Sequence, residues 1–145
     1  MAAPQAVVPA AAVPEHWHDP VITAAQAAAL LATPHHTLLV SAEPYAAGHV
    51  LVQAMPQAPA DILTLYVAPQ HRRRGLARAL MAAALDTARS KGCTGLTLEV
   101  EATNTAAIAL YTACGLQQIG TRNGYYRHPV SQTQGDALVM AVFLA

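Results

Sequence analysis

This sequence predicts a single α/β (or α+β) domain, a mixed sheet with helices on both faces. Three observations carry the prediction. The chain has 145 residues, the size of one domain with a full core. Short apolar strand patterns alternate with alanine-rich helical ones. The stretch Leu63 to Ala84 runs from a strand through a basic, Gly-containing loop into a helix, and a further strand follows at Gly95. A crossover of that length makes a parallel pair, right-handed as such crossovers almost always are.

Residues 1–14 are apolar but carry three prolines and no basic leader, so they read as a loose N-terminal tail rather than a signal peptide. Residues 15–145 then form the domain. Glu15 to Pro20 (EHWHDP) is polar and aromatic, and Asp19-Pro20 suits a turn before a helix over Thr23 to Ala32 that ends near Pro34. Thr37 to Ser41, Gly48 to Met55 and Asp61 to Val67 read as a three-strand meander. Leu76 to Arg89 is a helix of strong formers, closed by Lys91-Gly92. Gly95 to Glu101 is the next strand, and Asn104 to Ala113 a helix capped by Thr103 or Asn104 and stopped at Gly115. Leu116 to Gly120 and Tyr125 to His128 are strand-like pieces, Val130 to Gly135 a polar loop, and Ala137 to Leu144 a buried last strand.

Composition narrows the function. Net charge is zero with His neutral, which argues against general affinity for nucleic acid or an anionic membrane. No run reaches the roughly 18 apolar residues a membrane span needs. Cys93 and Cys114 lack metal-ligand spacing, and the seven histidines form no ligand set, so no metal is expected. Two free thiols fit a reduced, cytoplasmic protein. The oligomeric state is not legible, and a monomer suffices.

The basic residues are local: Arg72, Arg73, Arg74 and Arg78 cluster where strand turns into helix. Backbone N–H groups converge at such a junction, and the helix dipole is positive there. Two readings fit these residues alone, an anion site and a solvated basic helix start. The loop is neither a Walker loop, which needs Gly-Lys-Ser/Thr, nor a dinucleotide fingerprint, which needs more glycines.

The arrangement Arg72-x-x-Gly75-x-Ala77 resembles the acetyl-coenzyme A pyrophosphate loop of the GNAT N-acetyltransferases, whose pattern is Gln/Arg-x-x-Gly-x-Gly/Ala. A second block, Leu98-Glu99-Val100 through Asn104 and Tyr111 to Gly115-Leu116, resembles one branch of that family. The branch comprises the bacterial alanine N-acetyltransferases that modify the N-terminus of a small-subunit ribosomal protein, number eighteen. Arg122-Asn123-Gly124-Tyr125-Tyr126 and Asp136 to Met140 fit the same branch. The resemblance covers Asp61 to Val142 and thins before that. Ala77 stands where many members have Gly, and Leu116 where an aromatic is common.

The resemblance implies a GNAT-type domain with about seven strands, acetyl-coenzyme A as co-substrate, no metal, and the N-terminal peptide of a ribosomal protein as acceptor. An internal lysine or a small-molecule amine is the alternative acceptor. Leu65, Tyr66, Val67, the loop from Arg72 through Arg73, Arg74, Gly75, Leu76 and Ala77 to Arg78, and Asn104 are the implied coenzyme contacts. The thioester carbonyl would be polarised by a backbone N–H near Val67, freed by a bulge in that strand. Further along the chain, the C-terminal ends of the parallel strands, at Val67-Ala68 and Val100-Glu101, are expected side by side. Asn104 and Tyr111, seven apart, share a helix face.

The chemistry needs a neutral amine and a protonated leaving thiolate. An α-amino group has a pKa of about 7.7–8.0, against about 10.4 for lysine, so a carboxylate suffices as base. Glu99 shares the strand face of Thr97 and Glu101, opposite Leu96, Leu98 and Val100; by itself it also reads as a solvated charge. The resemblance implies Glu99 as general base and Tyr111 as general acid, though Tyr111 alone also reads as a core aromatic. Glu101 is a possible contact for the acceptor amine. Tyr125 and Tyr126 would roof the acceptor site or simply pack on the sheet. Trp17 would line the peptide entry or anchor the core.

Overall fold

The structure, a computed structural model, describes residues 6–127 and 134–144. Seven strands form one sheet in the order β1-β2-β3-β4-β5-β7-β6. They are β1 (Val7–Pro9), β2 (His36–Ala42), β3 (Tyr45–Gln53), β4 (Pro59–Val67), β5 (Gly95–Glu101), β6 (Gln117–Arg127) and β7 (Gln134–Phe143). Three helices, α1 (Ala24–Leu31), α2 (Leu76–Ser90) and α3 (Thr105–Ala113), pack on it. All neighbours are antiparallel except β4 and β5.

Period-2 alternation assigns each face of the sheet. Leu39, Val50, Val52, Leu96, Leu98, Val100 and Met140 join α2 and α3 in the larger apolar cluster. Leu38, Val40 and Leu51 face the other way, against Trp17, Ile22, Leu30 and Leu31. Central strands buried on both faces read as continuous apolar runs, as β2 and β3 do.

Helix starts follow local chemistry. Thr23 caps α1 in a capping box with Gln26, each side chain accepting from the other's backbone N–H. Asn104 caps α3 by accepting from the N–H of Ala107 at 3.2 Å. Helix α2 has no side-chain cap; Gly75 stands at its N-cap with φ of 80°. Its first turn is seated by close contact with β3. A Cβ on Gly48 would lie 3.1 Å from Leu76, from Leu80 and from the Tyr66 carbonyl.

Three expectations need correction. Residues 1–14 were expected to be loose, but Val7–Pro9 form an edge strand on β2, extended by Ala10 N–H to Leu38 O and Ala42 N–H to Ala6 O. Proline is tolerated at a sheet edge, where its missing N–H costs no ladder bond. The two strand-like pieces after Leu116 are one strand, β6, with register shifts at Gln118/Gly120 and Arg122/Tyr126. The expected loop Val130 to Gly135 lies mostly outside the described residues, and Gln134 and Gly135 belong to β7.

The third correction shapes the site. The ends of β4 and β5 do not lie side by side. They pair only at Pro59↔Gly95, Ala60↔Leu96 and Asp61↔Thr97, and then part. The cause is an extra residue in β4. Leu51 pairs with Thr64 and Val52 with Ile62, so Leu63 is inserted, and this is the bulge expected in that strand. A bulge bends its strand and increases its twist.

Leu80 is fully buried beneath the sheet. Leu80→Ala is expected to cost about 2–5 kcal/mol in urea unfolding, from lost burial plus a cavity. Gly48→Ala, which overpacks the α2–β3 contact, is expected to cost about 1–3 kcal/mol in the same measurement.

Candidate active site

Where β4 and β5 part, β4 is left without a neighbour on one side. Ala68 donates to the Ala47 carbonyl of β3 at 2.8 Å. Backbone groups alternate along a strand, so the N–H groups of Val67 and Leu65 point away from β3, into the gap. An N–H near Val67 therefore does face the cleft, where the strands part beyond the Leu63 bulge.

The loop at the end of β4 makes a half-turn of 3-10 helix over Pro69–His71 and then enters α2. Arg73 (φ 62°) and Gly75 (φ 80°) are both left-handed. The first helical hydrogen bond is Ala79 N–H to Gly75 O at 3.1 Å, which leaves the N–H groups of Leu76, Ala77 and Arg78 outside the helical ladder. No acidic residue lies in the first turn, and nothing stands within 4 Å of where a Cβ on Gly75 would be. The geometry fits a diphosphate: open main-chain donors, an unobstructed approach and the positive end of a 15-residue helix.

Arg73, Arg74 and Arg78 are exposed around this turn. Arg72 is exposed too, but it folds back. Its Nε donates to the Val67 carbonyl at 2.9 Å, and its guanidinium lies 5.5 Å from the Tyr66 ring centroid. Besides any coenzyme contact, Arg72 therefore holds the end of β4. Asn104, expected to touch the coenzyme, uses its side chain as the α3 cap.

Glu99 and Tyr111 approach the gap from opposite faces of the sheet. Glu99 lies on the face away from α2 and α3, and its Oε1 is ion-paired with Arg122 Nε of β6 at 2.8 Å. Asp61 accepts from the Thr97 hydroxyl at 3.1 Å on that face. Burial pushes the Asp61 carboxyl above its ordinary value, against the opposing pull of that hydrogen bond and the Arg122 charge. Glu101 Oε1 sits 3.7 Å from where a side chain on Gly135 would begin. Tyr111 is buried in the larger apolar cluster with Leu65, Val67 and Val100. Burial, then the adjacent Cys114 thiol, raises its hydroxyl pKa. Cys114 is itself raised by burial, partly offset by Arg78.

Trp17 stacks on His49 with ring centroids 3.9 Å apart, and its Nε1 donates to the Ile22 carbonyl at 2.9 Å. Tyr125 and Tyr126 fall within β6, with Tyr126 paired to Gly135, but their side chains lie outside the described residues. Arg122 as the partner of Glu99, and the group Asp19, His49 and Thr64, carry no role in the sequence reading. A histidine set between Gly48 and Val50 in an apolar strand was the available signal. Among the described residues no cluster of His, Cys, Asp or Glu could hold a metal, and no helix is long and apolar enough to cross a membrane.

The parted parallel strands, the uncapped α2 and the polar face beyond them define a mixed α/β fold with an open cleft between β4 and β5. The Acetyltransferase (GNAT) family model matches residues 7–116, and the chain belongs to that family. It is similar to the ribosomal protein bS18-alanine N-acetyltransferase of Escherichia coli K12, with 38% identity over 98 residues, 66% of this chain. That alignment spans 65% of the E. coli enzyme's length, less than two thirds. The crystal structure of the E. coli ribosomal-protein-S18-alanine N-acetyltransferase superposes with a TM-score of 0.65 at 28% identity, over 78% of this chain and 72% of that one. A nourseothricin acetyltransferase superposes with a TM-score of 0.67 at 30% identity, over 77% and 67%.

Gly75→Val is expected to weaken coenzyme A binding at least tenfold by calorimetry. A β-branched residue at φ of 80° costs about 1–2 kcal/mol, and its side chain occupies the approach to the main-chain donors.

Proposed function

We propose that this chain transfers acetyl from acetyl-coenzyme A to the α-amine of a protein N-terminus in the cytoplasm, with the N-terminal alanine of ribosomal protein bS18 as the best-supported acceptor. The observation that carries the reading is the gap that opens where β4 and β5 part, with the uncapped start of α2 following the end of β4. The kinship with bS18-alanine N-acetyltransferases supports that acceptor.

In this reading the diphosphate rests on the N–H groups of Leu76, Ala77 and Arg78, with Arg73 and Arg74 adding positive field. The pantetheine arm lies along β4, where Leu65 and Val67 supply main-chain donors that a missing strand leaves open. The acceptor enters from the face of Glu99. Glu99, whose Oε1 is ion-paired with Arg122, takes a proton from the amine, directly or through water. The amine nitrogen attacks the thioester carbonyl, the C–S bond breaks, and Tyr111 returns a proton to the thiolate. The raised Tyr111 pKa suits that role, because it keeps the hydroxyl protonated at neutral pH. Transfer is direct in a ternary complex, without an acetylated cysteine.

The similarity to a nourseothricin acetyltransferase favours a small-molecule amine as the second reading. Peptides with free or blocked N-termini, incubated alongside small amines, separate the two; mass spectrometry identifies the nitrogen that carries the acetyl group. Acetylation of blocked peptides on lysine, or of small amines alone, overturns the N-terminal assignment.

Glu99→Gln and Tyr111→Phe are each expected to lower kcat about 100-fold or more, with coenzyme A affinity within about twofold of wild type. In wild type, kcat/KM for a peptide rises as the amine deprotonates near pH 7.7–8.0. It then stays level to about pH 10, because a raised Tyr111 pKa places loss of the acid above the usual 10.0.

A further inference from the structure

Behind the acceptor face of β4 lies a buried polar group that the proposed chemistry does not use. Asp19 Oδ2 lies 2.8 Å from His49 Nε2 and accepts from the Thr64 hydroxyl at 2.6 Å. Its other oxygen, Oδ1, accepts from the backbone N–H groups of Val21 and Ile22 at 2.8 and 2.9 Å. The Asp19 side chain is fully buried and that of His49 nearly so. Burial alone would raise the Asp19 carboxyl. The hydrogen bonds from His49, Thr64, Ile22 and Val21 outweigh it and hold the group below its ordinary value.

These contacts join three pieces that bound the acceptor side. Thr64 follows the inserted Leu63, so Asp19 grips β4 where it bends away from β5. His49 lies beside Tyr66 across the β3–β4 ladder, their ring centroids 5.8 Å apart. Its other neighbour is Trp17, stacked on the ring. Tyr66 meets His18 edge-on at 5.5 Å and Arg72 at 5.5 Å. His16, His18, Tyr45, Tyr66 and His71 line a cavity of about 230 Å³ at the end of β4. From β2, the residue paired with His49 is the uncharged Val40. Asp19 is therefore the charged partner that meets the imidazole.

We propose that Asp19 and His49 are positioning residues for the acceptor: they tie the segment carrying His16, Trp17 and His18 to the bent strand β4 and so set the wall against which the peptide is held. This inference rests on the proposed acetyl transfer to a peptide. Neither side chain touches the reacting atoms. A buried carboxylate that has lost one donor is costly, so the wall shifts when His49 no longer donates. His49→Phe keeps a ring under Trp17 and removes the donor; His49→Gln keeps a donor and removes the ring.

The test uses the full chain, with acceptor KM and kcat measured separately and acetyl-coenzyme A affinity measured by calorimetry. His49→Phe is expected to raise the acceptor KM tenfold or more, with kcat and acetyl-coenzyme A affinity within about threefold of wild type. His49→Gln is expected to recover most of the KM. Trp17 is the chain's sole tryptophan, so its emission reports the wall directly. Saturating acceptor peptide is expected to change that emission in wild type and to change it less in His49→Phe. Should His49→Phe not fold, Asp19→Asn, which keeps the shape and loses the charge, is read in the same way. An acceptor KM within twofold of wild type in a folded variant overturns the proposal, as does Trp17 emission that ignores the peptide. A wild-type protein that takes up no acetyl-coenzyme A ends the functional reading and the acceptor role with it. That outcome is distinct from an active enzyme whose variants keep their acceptor KM.

Discussion

Two parallel strands that hydrogen-bond for three residue pairs and then separate impose an unmet demand on the main chain. Peptide groups inside a fold must find partners, and those of β4 beyond Asp61 lose theirs on one side. The sheet thereby holds an opening shaped for an extended ligand with acceptors of its own. Helix α2 begins at the outer end of this opening, its first N–H groups likewise uncommitted. A single chain-like molecule with an anionic end satisfies both sets together.

Charge is distributed to match. The chain is neutral overall, yet Arg72, Arg73, Arg74 and Arg78 gather at the helix start. Asp61, Glu99 and Glu101 gather on the opposite face of the sheet, with Arg122 of β6 among them. In the proposed reaction an anion and an amine approach different sides of one gap and meet there. Tyr111 stands on the apolar side, where burial keeps it neutral, and Glu99 on the solvated side, ion-paired with Arg122. In the proposed reaction the two sides of the sheet supply the two environments that a paired base and acid require.

Much of this was legible locally. The helix start at Thr23, the α3 cap and the limits of β5 follow from residues within a turn of one another; of Thr103 and Asn104 the cap is Asn104, and β5 spans the expected residues. The Arg72-x-x-Gly75 loop was legible for the same reason, since a left-handed glycine opening an uncapped helix is a local event. The edge strand β1 was not, because Pro9 looks like a breaker until a neighbouring strand accepts it at the rim. The single strand β6 was obscured by Gly120 and Gly124, which mark register shifts rather than an end.

The sequence by itself determined which residue types are present, where helices begin, which strand faces are apolar, and that a basic loop precedes α2. Each of these depends on neighbours within about four positions, where periodicity and capping act. Only the tertiary structure decided that Leu63 is an extra residue, that β4 and β5 part after Asp61, that Arg122 meets Glu99, and that Asp19 reaches His49 and Thr64, 30 and 45 positions away. Register and long-range pairing are set by how whole strands align, and no local pattern carries that information.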